Sequence, residues 1–270
     1  MTPDPWLALA GWVGAHALGV FVALLCALLL LAAFIAWVWD RRVLRRAQAT
    51  FSPPAVLLLK VAVGFATVLG AAAGFAEIAE QLGPDGVMSR ADEALAASIR
   101  AQVGVGTLQV FAGLTHLGDP LVLALLGVAV ALGLLWHGQR GLALGWVLAL
   151  GGNALLNPLL KRVFERVRPV HDHGLVAELS WSFPSGHTSG ATVAYGMLAY
   201  VVLRTLPPAW HLPAVLGATA LAFTVGSSRV FLQVHFASDV LAGFASGTAW
   251  LVVCALSVGA GQRWRLLRPR

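Results

Sequence analysis

The sequence predicts an all-α fold: a polytopic transmembrane helical bundle of six core spanning helices, an extra spanning helix at the N-terminus and one amphipathic extramembrane helix. Three observations carry this. Of 270 residues, 59% are hydrophobic and 11% charged, against roughly 45–50% and about 25% in a soluble domain; mean hydropathy is +0.80. The apolar residues fall in runs near the ~20 residues that a spanning helix needs. Basic residues lie between those runs, where they set orientation in a bilayer. A soluble globular enzyme, a disordered chain and a disulfide scaffold are excluded. The formal charge of +6 reads as membrane orientation, and no nucleic-acid partner is expected. Cys26 and Cys254 sit inside apolar runs and read as small buried hydrophobes.

The first run extends from about Trp12 to Trp39. Its basic cluster follows it, and it is too long for a signal-peptide core, so a spanning helix is expected. The second, about Ala55 to Ala76, contains Gly70 and Gly74 at the spacing that lets helix backbones approach closely. Residues 77–119 are mixed and charged. Within them, ADEALAASIRAQVG puts Leu95, Ile99 and Val103 on one side. That predicts an amphipathic helix, either lying at the membrane surface or simply extramembrane.

Five further runs cover about 120–136, 142–160, 187–203, 212–228 and 238–257. Short connections at 137–141 and 204–211 predict antiparallel neighbours. Trp37, Trp39, Trp136, Trp210 and Trp264 fall at span ends, where indoles favour the headgroup region. With about seven spans, the RRVLRR loop and the RWRLLRPR tail share one face. The positive-inside rule makes that face cytoplasmic, with the N-terminus outside.

Three polar clusters fall on the opposite face. In the first, Lys161 and Arg168 are seven residues apart. If the preceding helix continues, they share one face two turns apart, and Pro169 stops the helix. Two such cations suit a polyanion, Arg as a planar fork and Lys as a point charge. Alone, the cluster fits a basic helix end at lipid headgroups better. The second, Phe183-Pro184-Ser185-Gly186-His187, precedes an apolar helix. Ser185 is a natural N-cap, Gly186 permits close backbone approach, and the free first amides make an anion site with His187 at its rim. Alone, it is also an ordinary capped helix start. In the third, Ser228-Arg229 is followed by His235 and Asp239 at i, i+4. A carboxylate on one ring nitrogen fixes the tautomer and frees the other nitrogen as a nucleophile, and Arg229 adds a further fork. The bland alternative is a structural His–Asp pair. His16, His116, His137 and His211 read as interfacial; His171, Asp172, His173, Glu165 and Glu178 could line the site entrance, but a solvated loop is the better reading.

Together the clusters make a phosphoryl-transfer site. In order and spacing they resemble the type 2 phosphatidic acid phosphatase superfamily, whose signatures K-x6-RP, PSGH and SR-x5-H-x3-D stand here intact as KRVFERVRP, PSGH and SRVFLQVHFASD. The resemblance covers roughly residues 85–257, leaving the first two runs outside. It implies that His235 attacks phosphorus to form a phosphohistidine, that Asp239 orients it, and that His187 protonates the leaving oxygen and then activates water. Lys161, Arg168, Ser185, Gly186 and Arg229 would hold the phosphate. No metal or other cofactor is expected, since the sequence has no HExxH, Cys/His cluster or dense carboxylate array.

The expected organisation is 1–80 spanning helices, 81–118 an amphipathic extracytoplasmic segment, 119–260 the phosphatase core and 261–270 a basic cytoplasmic tail. The expected function is a lipid phosphatase of the cell (inner) membrane with its site facing the periplasm or exterior. Its partner would be a lipid phosphate or diphosphate: undecaprenyl diphosphate, phosphatidylglycerophosphate, phosphatidate or a lipid A phosphate. Alternatives are a lipid phosphotransferase with the same site and, less favoured, a transporter with a phosphate-binding vestibule.

Overall fold

Apolar runs in a bilayer must satisfy their backbone polar groups internally, which leaves helices as the solution for a chain patterned this way. The computed structural model describes residues 4–38, 53–83, 86–171, 173–176 and 178–267, with side chains omitted at 53–54 and 261–267. Trp39, the RRVLRR loop, Asp172 and the side chains of the basic tail, Trp264 included, lie outside the described residues. The described residues form ten α-helices and two 3-10 turns, with no strand among them: α1 Pro5–Ala15, α2 Ala17–Val38, α3 Pro53–Glu80, α4 Val87–Gln102, α5 Val105–Thr115, a 3-10 turn His116–Gly118, α6 Pro120–Trp136, α7 Arg140–Phe164, α8 Gly186–Thr205, a 3-10 turn Pro208–Trp210, α9 His211–Phe231 and α10 Ala237–Leu267.

Among the described residues five helices are long and apolar enough to cross a membrane, and a sixth is obtained if α5 and α6, bent by 42° across Asp119, count as one. The run at 187–203 forms α8, which is 20 residues long but falls outside that set because His187, Thr188, Ser189 and Thr192 open it. Those residues face inward. Thr188, Ser189, Ala191, Val193, Ala194 and Met197 are all buried, so α8 is the central helix, packed by α7, α9 and α10. The N-terminal run also departs from a single helix: it breaks at His16, and α1 lies against α4 while α2 packs on α9. Helix α4 carries the expected amphipathic face. Ile99 is buried, and Leu95 and Val103 pack around it against Phe111, Phe231 and Leu232.

Close helix approach is set by a different glycine pair from the expected one. A Cβ at Gly70 or Gly74 would meet nothing within 4 Å. At Gly243 it would meet the Ser185 carbonyl oxygen at 2.8 Å and Thr188 Cβ at 2.9 Å; at Gly247, the Ser189 carbonyl oxygen at 3.0 Å. The small-xxx-small pair that works here joins α10 to the start of α8. Away from that junction, Trp146, Ala149, Val193, Met197 and Cys254 form an apolar core between α7, α8 and α10. Trp37, Trp136 and Trp210 are exposed at helix ends.

Candidate active site

Helix α7 shows how one helix can serve both core and site. Its buried face runs Leu142, Trp146, Ala149, Asn153, Asn157, Lys161, a spacing of three to four residues that keeps these side chains in line. The face begins apolar and ends polar. Asn157 Nδ2 donates to the Pro184 carbonyl oxygen at 3.3 Å, and a Cβ at Gly186 would meet Asn157 Oδ1 at 2.8 Å. Gly186 is thus what lets the start of α8 sit against α7. Lys161 Nζ donates to Ser180 Oγ at 3.3 Å and to the Trp181 carbonyl oxygen.

The helix does not continue to Arg168. It ends at Phe164, and Glu165 adopts a left-handed conformation with φ 44°. The expectation that Lys161 and Arg168 share a helix face is therefore wrong, and Pro169 stops nothing. An extended segment instead brings Arg168 back to the same residues. Its guanidinium donates to the Ser180 carbonyl oxygen at 2.6 Å, Ser180 Oγ at 3.1 Å and the Trp181 carbonyl oxygen at 3.2 Å. It also donates to His235 Nε2 at 3.1 Å.

Ser185 caps α8 as expected, its Oγ accepting from Thr188 N at 3.4 Å and Thr188 Oγ1 at 2.9 Å. His235 lies in the turn between α9 and α10, and Asp239 in the first turn of α10, their Nδ1 and Oδ2 3.4 Å apart. Ser182 Oγ bridges them, 3.3 Å from His235 Nδ1 and donating to Asp239 Oδ2 at 2.5 Å. With Nδ1 protonated on that side, Nε2 presents its lone pair to Arg168 and the cavity. Burial dominates the ring's titration. It lowers the His235 pKa to about 3, against the opposing pull of Asp239, so the imidazole is neutral and nucleophilic at ordinary pH.

These groups meet at a cavity of about 590 Å³, walled by Lys161, Arg168, Gly186, His187 and His235 at one end and by Leu123, Leu150, Ala154 and Val193 along its length. Ser185, Arg229 and Asp239 lie fully buried behind the wall. All eight residues singled out from the sequence are thus brought to one end of the bundle, five on the surface of the cavity. Arg229 Nη1 donates to Thr115 Oγ1 at 2.8 Å and Nη2 to Glu178 Oε1, while its buried Nε has no hydrogen-bond partner among the described residues.

Several contributors were missed by sequence reasoning. Glu178 is not a solvated loop residue: its carboxylate meets Arg229 and lies 3.6 Å from Arg168. Burial alone would push that carboxyl up, but Arg229 and Arg168 hold it below the usual range. Arg166 Nη1 donates to Asp239 Oδ1 at 2.7 Å and Nη2 to Asp92 Oδ2 at 2.9 Å, tying α4 to the His–Asp pair. Asp119 accepts from His187 Nε2 at 2.9 Å. None of these had a local signal; only an opposite charge left over in a chain that is 11% charged hinted that each had a partner.

A membrane bundle with three cations, two histidines and a buried carboxylate at one end of a largely apolar cavity defines a class: membrane phosphatases that act on lipid phosphates. Comparison with known proteins gives the family. Residues 140–263 match the PAP2 superfamily. The chain is 41% identical over 141 residues to phosphatidylglycerophosphatase B of Bacillus subtilis (strain 168), a match covering 52% of this chain and 69% of that protein. It is 32% identical over 170 residues to decaprenylphosphoryl-5-phosphoribose phosphatase of Mycobacterium tuberculosis (strain ATCC 25618 / H37Rv), covering 58% and 84%. It is also similar to the crystal structure of a transmembrane PAP2-type phosphatidylglycerolphosphate phosphatase from Bacillus subtilis, with TM-score 0.66 and 33% identity, covering 76% of this chain and 99% of that one. The chain belongs to the PAP2 superfamily and is a membrane lipid phosphatase.

Proposed function

We propose that the chain hydrolyses a lipid phosphomonoester or diphosphate at the extracytoplasmic face of the cell membrane, through a phosphohistidine on His235 and without a metal. The observation that carries the reading is His235 itself, a buried neutral imidazole with one nitrogen on Asp239 and the other facing the cavity beside Arg168. The His235 Nε2 lone pair attacks phosphorus. Lys161, Arg168 and Arg229, with the Gly186 amide at the start of α8, offset the charge that develops on the phosphoryl oxygens. His187 protonates the leaving oxygen and then takes a proton from the water that releases phosphate. Ser185 serves by capping α8.

The lipid class is supported by the apolar length of the cavity, and a phosphatidylglycerophosphate-type substrate by the named relative at 41% identity. The facing is supported by the distribution of charge. Arg140 and Arg204 lie at the helix ends opposite the site, on the side to which the sequence assigns the basic loop and tail. Among the described residues no three His, Cys, Asp or Glu side chains group as a metal would require, and the fixed cations already supply the positive charge.

The test is phosphate release by the purified protein from a panel of phosphatidylglycerophosphate, phosphatidate, undecaprenyl diphosphate and lipid A phosphates, with and without EDTA. Activity that survives chelation and vanishes in His235→Ala is expected. Wild-type turnover by His235→Ala overturns the mechanism, and a strict divalent-metal requirement overturns metal independence. Impermeant thiol labelling of single cysteines at position 174 and in the tail checks the facing; the two are expected to react from opposite sides.

A further inference from the structure

A second carboxylate–imidazole pair stands across the cavity from the first. His187 Nε2 donates to Asp119 Oδ1 at 2.9 Å, and Asp119 Oδ2 accepts from His116 Nδ1 at 2.6 Å. Asp119 belongs to none of the three signature clusters. It sits between the 3-10 turn and α6, 68 residues before His187, and that junction is built onto His187. Tyr195 Oη of α8 donates to the Leu117 carbonyl oxygen at 2.7 Å. At Gly118 a Cβ would meet Val225 Cγ1 at 2.4 Å and His187 Cδ2 at 3.3 Å, so only glycine lets the turn come this close. The His187 side chain is 13% exposed. Its other nitrogen, Nδ1, lies 3.9 Å from Glu178 Oε1 on the cavity side. The charged groups facing His187 are therefore Asp119 from the junction before α6, Glu178 from the segment before α8, and Arg229 from α9; His116 faces Asp119 from the 3-10 turn.

We propose that Asp119 is the positioning residue of His187. It holds the ring with Nδ1 turned to the cavity and stabilises the imidazolium that acts as general acid, while His116 fixes the second carboxylate oxygen. This rests on the role given to His187 above. In the first half-reaction the Nδ1 proton passes to the leaving oxygen as its bond to phosphorus breaks and the His235 Nε2–phosphorus bond forms. In the second, water attacks phosphorus, its proton passes to Nδ1 of the now neutral His187, and the phosphorus–nitrogen bond breaks. Asp119 stays a carboxylate throughout, so the pair mirrors His235–Asp239 with acid in place of nucleophile.

The experiment is steady-state kinetics of the purified full-length enzyme on phosphatidylglycerophosphate in detergent micelles, across pH. General acids contribute about 10²–10⁴-fold, and losing only the orienting carboxylate forfeits a part of that. Asp119→Asn is expected to lower kcat by roughly ten- to a hundredfold, with KM little changed. The basic limb of the kcat profile moves to lower pH, because a neutral amide no longer favours the imidazolium. Asp119→Glu regains part of kcat and returns the limb toward its wild-type position, and His116→Ala, which removes a donor from Asp119 and leaves the carboxylate a stronger acceptor, moves the limb the other way, to higher pH. On an aryl phosphate, whose phenolate leaves without a proton, the Asp119→Asn deficit shrinks.

Wild-type kcat and an unmoved limb in Asp119→Asn overturn the proposal. So does an equal deficit on both substrates with the limb unmoved, which is what a merely structural role gives. Should Asp119→Asn fail to fold, the limb of His116→Ala decides, and an unmoved limb there overturns it. His187→Ala separates this from the reading it rests on. If that variant keeps wild-type turnover, the acid role itself is lost; if it is inactive while the Asp119 variants behave as wild type, only the positioning role falls.

Discussion

Removing Arg166 tests how the amphipathic helix is bound to the site. The Arg166 side chain is 10% exposed and bridges Asp92, 5% exposed, to Asp239, 0% exposed. It also donates to Ser238 Oγ at 2.6 Å and stacks 4.3 Å above the Phe236 ring. Arg166→Met keeps apolar bulk but leaves two buried carboxylates without their cation. Breaking a buried pair by deleting one partner costs about 3–5 kcal/mol. Burial already pushes the Asp92 carboxyl up, with Ser238 and Arg166 pulling it down. Without Arg166 that group takes up a proton and escapes part of the penalty, so the lower end, about 3 kcal/mol, is expected; at 1.4 kcal/mol per tenfold that is more than a hundredfold in the folding equilibrium. The assay is denaturant unfolding of the detergent-solubilised protein followed by tryptophan fluorescence. The sign with pH is definite. In Arg166→Met the folded-state Asp92 pKa lies above its unfolded value, so the deficit shrinks as pH falls from 7 toward 5. Asp92→Asn in the same background should recover about 1 kcal/mol through pairwise coupling. A variant within about 0.5 kcal/mol of wild type, or a deficit that ignores both pH and Asp92→Asn, refutes the reasoning.

The two glycine pairs separate equally well. Gly243→Val forces side-chain atoms into the Ser185 carbonyl oxygen and Thr188 and should cost about 1–3 kcal/mol with loss of phosphate release, whereas Gly70→Val, with nothing within 4 Å, should leave both unchanged; the same unfolding and release assays check this. For His235, burial depresses the pKa to about 3, so the neutral nucleophile is fully populated at every pH well above that. At saturating substrate kcat is therefore expected to show no acid limb near the ordinary imidazole range from this residue, and a limb there that disappears only in a His235 variant with residual activity contradicts the burial argument.

Spans and site were legible to different degrees, for physical reasons. Apolar run length reports a helix in lipid directly, because the bilayer sets one length scale for every crossing element. That logic located α2, α3, α7, α9 and α10. It also placed α8, whose polar opening residues are tolerated because they point into the bundle, but it read straight through the break at His16, although Gly14 stands two residues before it. The chemistry was legible wherever the fixed spacing is local: the Ser185 cap, and His235 with Asp239 across one turn. Lys161 and Arg168 were correctly paired on the wrong geometry, since a left-handed Glu165 followed by an extended return brings them to Ser180 and Trp181 where a continuous helix was expected.

The sequence alone therefore determined a membrane helical bundle and eight residues that belong together, because hydropathy and short-range spacing are properties of contiguous chain. Tertiary structure decided which glycines bring helices into contact, since Gly70-Gly74 and Gly243-Gly247 have the same spacing and differ only in what lies opposite. It also decided that Asp92, Arg166, Glu178 and Asp119 join the site, across separations of up to 146 residues. A lone charged residue carries no mark of its partner in sequence; only burial, which makes an unpaired charge costly, obliges the fold to bring the partner to it.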